Sequence, residues 1–374
     1  MSFAIRPDFN ELASSFTSRY ELVEEIGVGG SGIVYKVLDV EGTYRAAKVI
    51  AKKRIGSRAL VKTLHWGAST TGLSRTKDGA VIVPTEAYVL RRLKHPGTIG
   101  FVELLACEKF YYLIMEFHGK NWHFAAERNG VLPPSPPVTP PSRELEMPAS
   151  PTMPASPTSP TSPTSPISVS LPSTIAPPSF VAASPTISSL RAPLMRRSSS
   201  DLFEAIEVVR SFNEPAARYV FHQLVATVCD LAQVGIRHND LKDENIVIDE
   251  QLHVKLVDFG STVLWDTSKP APLQSGRFYG TSTFAAPEVF RDLPYDGSAA
   301  EVWALGVILS LLLTGSHPFS RPEDALIGFL APPKVPVSPL AFDCVRRCLT
   351  ADPTRRITLH ELLRHPWILE RAAQ

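Results

Sequence analysis

Cysteine is scarce in this 374-residue chain, and its spacing excludes more than its number. Only Cys107, Cys229, Cys344 and Cys348 occur, with no C-x-x-C pair, so neither a disulfide framework nor a thiolate metal cluster is expected. Cys344 and Cys348 share a helix face at i, i+4 spacing and read as buried thiols. A net charge is missing as well: 38 Lys and Arg face 37 Asp and Glu, which leaves +1 and no global field that favours nucleic acid or an anionic membrane. Met1 to Asn10 carries charges and Pro7 where a signal peptide needs an apolar core. The most apolar run, Val302 to Leu313, falls short of the about 20 residues that span a bilayer. These absences predict a soluble protein of the cytoplasm or nucleus, without nucleic-acid or membrane partners.

Proline, by contrast, is abundant and concentrated. Pro133 to Pro193 holds 18 of the 34 prolines, interleaved with Ser and Thr and including the repeat from Thr158 to Pro166. Proline removes backbone donors, and too few large apolar side chains remain to offset the entropy of ordering, so this tract is predicted to be disordered or polyproline-like. Its composition suits proline-motif or phosphoserine-binding partners. On the N-terminal side, Tyr20 to Ile26, Ile33 to Asp39 and Tyr44 to Ile50 alternate and are rich in β-branched residues, which predicts three antiparallel strands. Ala51 to Ala80 has no period and reads as a loop. Pro84 to Lys94 reads as a helix, and Phe101 to Cys107 and Tyr111 to Phe117 as two further strands. Beyond the tract, Asp201 to Val209, Glu214 to Gln233, Ala299 to Leu313, Pro339 to Leu349 and Thr358 to His365 carry helical patterns.

Two short acidic motifs concentrate the chemistry. His238-Asn239-Asp240-Leu241-Lys242-Asp243-Glu244-Asn245 is followed by Asp258-Phe259-Gly260. Phosphoryl transfer from ATP needs one carboxylate to orient the attacking hydroxyl, and a carboxylate plus an amide to hold magnesium; Asp240, Asp258 and Asn245 fit those tasks in that order. Gly27-Val28-Gly29-Gly30-Ser31-Gly32 matches G-x-G-x-x-G, a spacing shared with dinucleotide-binding folds. Those folds need a helix directly after the last glycine, whereas Ile33 to Val37 reads as strand. A glycine-rich hairpin closing over phosphates is the better reading.

With these motifs the chain resembles the eukaryotic protein serine/threonine kinases over residues 20–118 and 200–368. Within that family it is similar to the calcium/calmodulin-dependent group and most of all to PAS-domain kinases, through Met115 to Gly119, Asp201-Leu202-Phe203, Lys242 to Asp249 and Asp258 to Ser261. No PAS domain is expected before Tyr20. The resemblance implies an α+β, two-lobed fold: a small lobe of five antiparallel strands and one main helix (20–118), a Pro/Ser/Thr-rich insertion (119–199) and a mainly helical large lobe (200–368), with an extension at 1–19 and a tail at 369–374.

It also implies roles. Asp240 acts as catalytic base, and Lys242 steadies the γ-phosphate. Asn245 and Asp258 hold Mg2+. ATP is bound by Gly27, Val28, Gly29, Gly30, Ser31, Gly32, Val34, Ala46, Lys48 with its partner Glu86, and Glu116 and His118 at the hinge. The substrates implied are proteins phosphorylated on Ser or Thr, with an upstream Arg met by Glu204, Glu207 and Glu244. Glu288 pairs with Arg356 in a structural role. Two positions depart from the family: Asn239 stands where arginine is usual, and Glu301 where aspartate is usual, the added methylene being expected to loosen its bonds to the catalytic loop. These departures leave a pseudokinase scaffold as the alternative.

Overall fold

Alternating β-branched and aromatic residues through Tyr20 to Ala51 form three antiparallel strands in the computed structural model, which describes residues 12–29, 32–66, 72–119, 122, 200–274, 281–291 and 293–370. A short helix, α1 (Ser14–Thr17), leads into β1 (Tyr20–Gly29), β2 (Gly32–Asp39) and β3 (Tyr44–Ala51). After a hairpin of β4 (Leu60–Thr63) and β5 (Val81–Pro84) come α2 (Thr85–Arg92), β6 (Phe101–Ala106) and β7 (Phe110–Glu116). The main sheet runs β1-β2-β3-β7-β6, antiparallel throughout. Its register sets Val34 opposite Lys48 and Lys48 opposite Leu113. β1 reaches further into the glycine-rich motif than the sequence predicts, since Gly27, Val28 and Gly29 pair with Val34, Ile33 and Gly32. A Cβ at Gly32 would lie 2.4 Å from the Val49 carbonyl oxygen, a separation that only glycine permits.

Three segments are more structured than the sequence suggests. The stretch from Ala51 to Ala80 is not simply a loop: it contributes β4 and the approach to β5, with Val61 opposite Val83 and Trp66 fully buried. Residues 12–19, expected as part of an N-terminal extension, are packed as well. Phe16 stacks on Tyr112 with centroids 4.7 Å apart, and Arg19 pairs with Glu103 at 2.7 Å, so this segment covers one face of the sheet. The insertion, finally, does not begin unpacked at 119, because Trp122 is buried against Phe212. The expected disorder of Pro133 to Pro193 falls outside the described residues, as do residues 371–374 of the tail at 369–374.

The large lobe is mainly helical, as predicted. Asp201 caps α3 (Leu202–Val209) by accepting the Glu204 N–H, and Asn213 caps α4 (Glu214–Gln233) by accepting from Ala216. Two small antiparallel pairs follow, β8 (Ile236–Arg237) with β11 (Val263–Leu264) and β9 (Ile246–Ile248) with β10 (Val254–Leu256). Then come α5 (Gly297–Thr314), α6 (Pro322–Ile327), α7 (Pro339–Cys348), α8 (Leu359–Leu363) and α9 (Pro366–Leu369). By length and composition α5 could cross a membrane, yet most of it is buried as the core helix of this lobe. Arg356 forks onto Glu288 at 2.6 and 2.9 Å and donates to the Ala299 and Thr350 carbonyls, which ties the segment before α5 to that preceding α8.

Candidate active site

Lys48 leaves β3 toward the interior and donates to two carboxylates at once, Glu86 Oε2 at 2.7 Å and Asp258 Oδ1 at 2.8 Å. Glu86 stands in the first turn of α2 and also accepts the Phe259 backbone N–H. One ammonium thus joins strand, helix and the Asp258-Phe259-Gly260 turn. Burial alone would lower the Lys48 pKa, and the Asp258 and Glu86 carboxylates more than reverse that, holding it charged above its ordinary value. Burial raises the Glu86 pKa, with Lys48 opposing in part, while Asp258 is kept below the ordinary value because Lys48 outweighs its own burial. Asp258 adopts left-handed backbone, φ 61°, and its Oδ1 also accepts the Gly260 N–H at 3.3 Å. Phe259 is fully buried, edge-on to His238 with centroids 4.8 Å apart.

The second cluster hangs between β8 and β9. Asn245 Nδ2 donates to the Asp240 carbonyl at 2.8 Å and to Asp240 Oδ2 at 3.1 Å, which leaves the Asn245 amide oxygen as an acceptor. Lys242 Nζ lies 3.6 Å from Asp240 Oδ2 and donates to Thr281 Oγ at 3.0 Å, while the Thr281 N–H reaches Asp240 Oδ1 at 3.3 Å. A carboxylate, an ammonium and a hydroxyl therefore converge. The Asn245 amide oxygen and the Asp258 carboxylate are hard donors of the kind Mg2+ takes. Among the described residues no three His, Cys, Asp or Glu side chains gather as a metal cluster.

Other predicted positions divide. Val34 and Ala46 sit on adjacent strands, Ala46 opposite Met115. At the hinge the Glu116 side chain is turned to Lys255 at 2.5 Å, its N–H donates to the Gly100 carbonyl, and His118 Nε2 is 3.1 Å from the His253 carbonyl oxygen. Gly30 and Ser31 lie outside the described residues. Of the carboxylates expected to meet a substrate arginine, Glu207 and Glu244 are exposed, whereas Glu204 is buried.

Glu301 does not loosen the catalytic loop. It accepts the Asn239 N–H at 2.8 Å and also the His238 N–H, because the longer side chain still reaches from α5. Burial pushes its pKa up to about 7 against those two donors. Asn239, in left-handed backbone at φ 71°, a region where asparagine is tolerated, accepts a hydrogen bond from Gln274 Nε2. Gln274 in turn accepts from Tyr295 OH at 2.7 Å and exchanges both backbone bonds with Tyr295. No spacing in the sequence marks Gln274 or Tyr295; the one clue is a neutral residue where an arginine is usual, which calls for a neutral partner.

Residues 188–368 match the protein kinase domain family. The match lies beyond the small lobe, so Lys48 and Glu86 rest on geometry. The serine/threonine-protein kinase prk-2 of Caenorhabditis elegans is 39% identical over 172 residues, 45% of this chain and 38% of the relative. The PAS domain-containing serine/threonine-protein kinase of Mus musculus is 38% identical over 177 residues, 46% of this chain and 12% of the relative. CBL-interacting protein kinase 25 of Oryza sativa subsp. japonica is 43% identical over 162 residues, 41% of this chain and 31% of the relative. The chain thus spans between about an eighth and two fifths of the length of these curated relatives. It is to the protein kinase domain that the large lobe, with Asp240, Asn245 and Asp258, is similar in sequence.

Proposed function

We propose that this chain is an ATP-dependent protein serine/threonine kinase, transferring the γ-phosphoryl group of ATP to Ser or Thr hydroxyls. The observation that carries this reading is the Lys48 ammonium held between Glu86 and Asp258, beside the cluster in which Asn245 and Lys242 contact Asp240. Asp240 accepts the proton of the attacking hydroxyl as its oxygen bonds to phosphorus, and the bond to the β-phosphate oxygen breaks. Lys242 offsets charge on the transferred group, and Lys48 holds the α- and β-phosphates under the glycine-rich hairpin. Asn245 and Asp258 would hold Mg2+, which would supply charge neutralisation of the phosphates. Val34, Ala46 and the backbone of Glu116 and His118 receive the adenine end. A scaffold without catalysis finds no support in these positions, since each chemical residue is present and in contact.

A place near the calcium/calmodulin-dependent group belongs to the same reading, and the exposed Glu207 and Glu244 support a preference for an arginine upstream of the target. ATP supply and unpaired thiols suit the cytoplasm or nucleus. The hydrogen bond from Gln274 to Asn239 supports activity that needs no phosphate on the activation segment, Ser261 to Thr283, because a neutral amide occupies the place of a phosphate-binding arginine. The test is phosphorylation of a degenerate Ser/Thr peptide library with Asp240→Asn beside it. Equal incorporation by both proteins, or none by the wild type, overturns the reading.

A further inference from the structure

Glu86 stands on a helix of only eight residues, too short to be stable by itself, so its position has to come from packing. At the N-terminal end no loop intervenes: Pro84 is the last residue of β5 and the N-cap of α2, so the helix takes its direction from the hairpin. That hairpin is fixed to the main sheet, because Tyr111 OH on β7 donates to the Ile82 carbonyl at 3.1 Å. At the other end Trp66, which follows β4, packs edge-on against Phe101 of β6, with centroids 6.2 Å apart, and takes the Arg91 guanidinium over its ring at 4.6 Å. The indole is 1% exposed, and among the described residues its N–H has no hydrogen-bond partner. Burying that donor unpaired is unfavourable, so what tryptophan contributes at this site is its shape and ring face.

We propose that the β4–β5 hairpin is a built-in brace in which Trp66 acts as a positioning residue, holding both ends of α2 so that Glu86 meets Lys48. The proposal rests on the kinase reading for its activity readout.

The experiment compares wild type, Trp66→Ala and Trp66→Phe, each alone and combined with Glu86→Gln. It measures kcat and KM for ATP on a peptide, and amide exchange of Thr85–Arg92. Trp66→Ala is expected to lower kcat/KM for ATP by roughly tenfold to a hundredfold. It should speed exchange in α2 and leave α4 unchanged, and Trp66→Phe should recover most of both. In the Glu86→Gln background the same alanine change should add less than about twofold, because the brace acts through Glu86. An equal loss in both backgrounds, or unaltered exchange in α2, overturns the brace. If Trp66→Ala does not fold, Arg91→Ala removes only the guanidinium. Faster α2 exchange and a raised KM then support the proposal, and wild-type values overturn it. An inactive wild type would sink the kinase reading alone, since exchange still decides the brace.

Discussion

Asp240 and Lys48 are both essential to the proposed transfer, and their surroundings separate them. Asp240 is partly exposed and an asparagine there keeps one of its two acceptor oxygens, so Asp240→Asn is expected to lower kcat by about 10²- to 10⁴-fold while the melting temperature stays within about 2 °C. Lys48 is buried between two carboxylates. Lys48→Met should therefore abolish transfer and also cost on the order of 3 kcal/mol, seen as a fall in melting temperature of several degrees. Equal melts for the two variants would refute the distinction. Glu301 gives a pH signature. Its folded pKa of about 7 lies above the unfolded carboxylate value, so the folded state keeps a proton that the unfolded state loses as pH rises from about 4.5 to 7. Stability contributed by this group is complete below that window and lost through it. Thermal melts of Glu301→Gln should show a flatter slope over that range, and parallel curves would refute it. The meetings of Lys48 with Asp258 and of Asn245 with Asp240 were legible in the sequence because short motifs carry these residues in a fixed order. The buried state of Glu204 was not, because one helix turn of sequence does not reveal which side faces inward.

At the scale of elements, the strands and helices that alternate strongly were legible to within a few residues. The hairpin was not, because β4 and β5 are four residues each, far apart in sequence, and joined by a basic, Gly- and Ser-containing stretch that shows no period. The activation segment was legible only by what it lacks. Gln274 links it to Asn239 without a phosphate, so enzyme treated with phosphatase should keep its peptide activity to within about twofold. Gln274→Ala should lose up to roughly tenfold, the worth of about one partly buried hydrogen bond. Activity that collapses after phosphatase and returns on phosphorylation between Ser261 and Thr283 would count against the neutral latch.

For the whole molecule, a Cβ placed on Gly119 would lie 2.4 Å from the Ser200 Cβ, so the two residues that flank the insertion adjoin. Loop closure grows only slowly with length, and replacing Pro133 to Leu190 with a short Gly/Ser linker should preserve melting temperature and peptide phosphorylation, provided Trp122 is kept against Phe212. Loss of either property would tie the tract to the fold. The two-lobed plan was readable from motif order, whereas the packing of residues 12–19 on the sheet was not, because it depends on a single aromatic, Phe16, with no periodic neighbour. The ion pair from Lys48 to Asp258 joins residues 210 apart in sequence. During synthesis at about 5 to 20 residues per second, roughly 10 to 40 s separate the two partners as they leave the ribosome. Through that interval the finished small-lobe sheet has no carboxylate from the large lobe to neutralise its buried ammonium, so a nascent chain holds half of a nucleotide site and no means of using it.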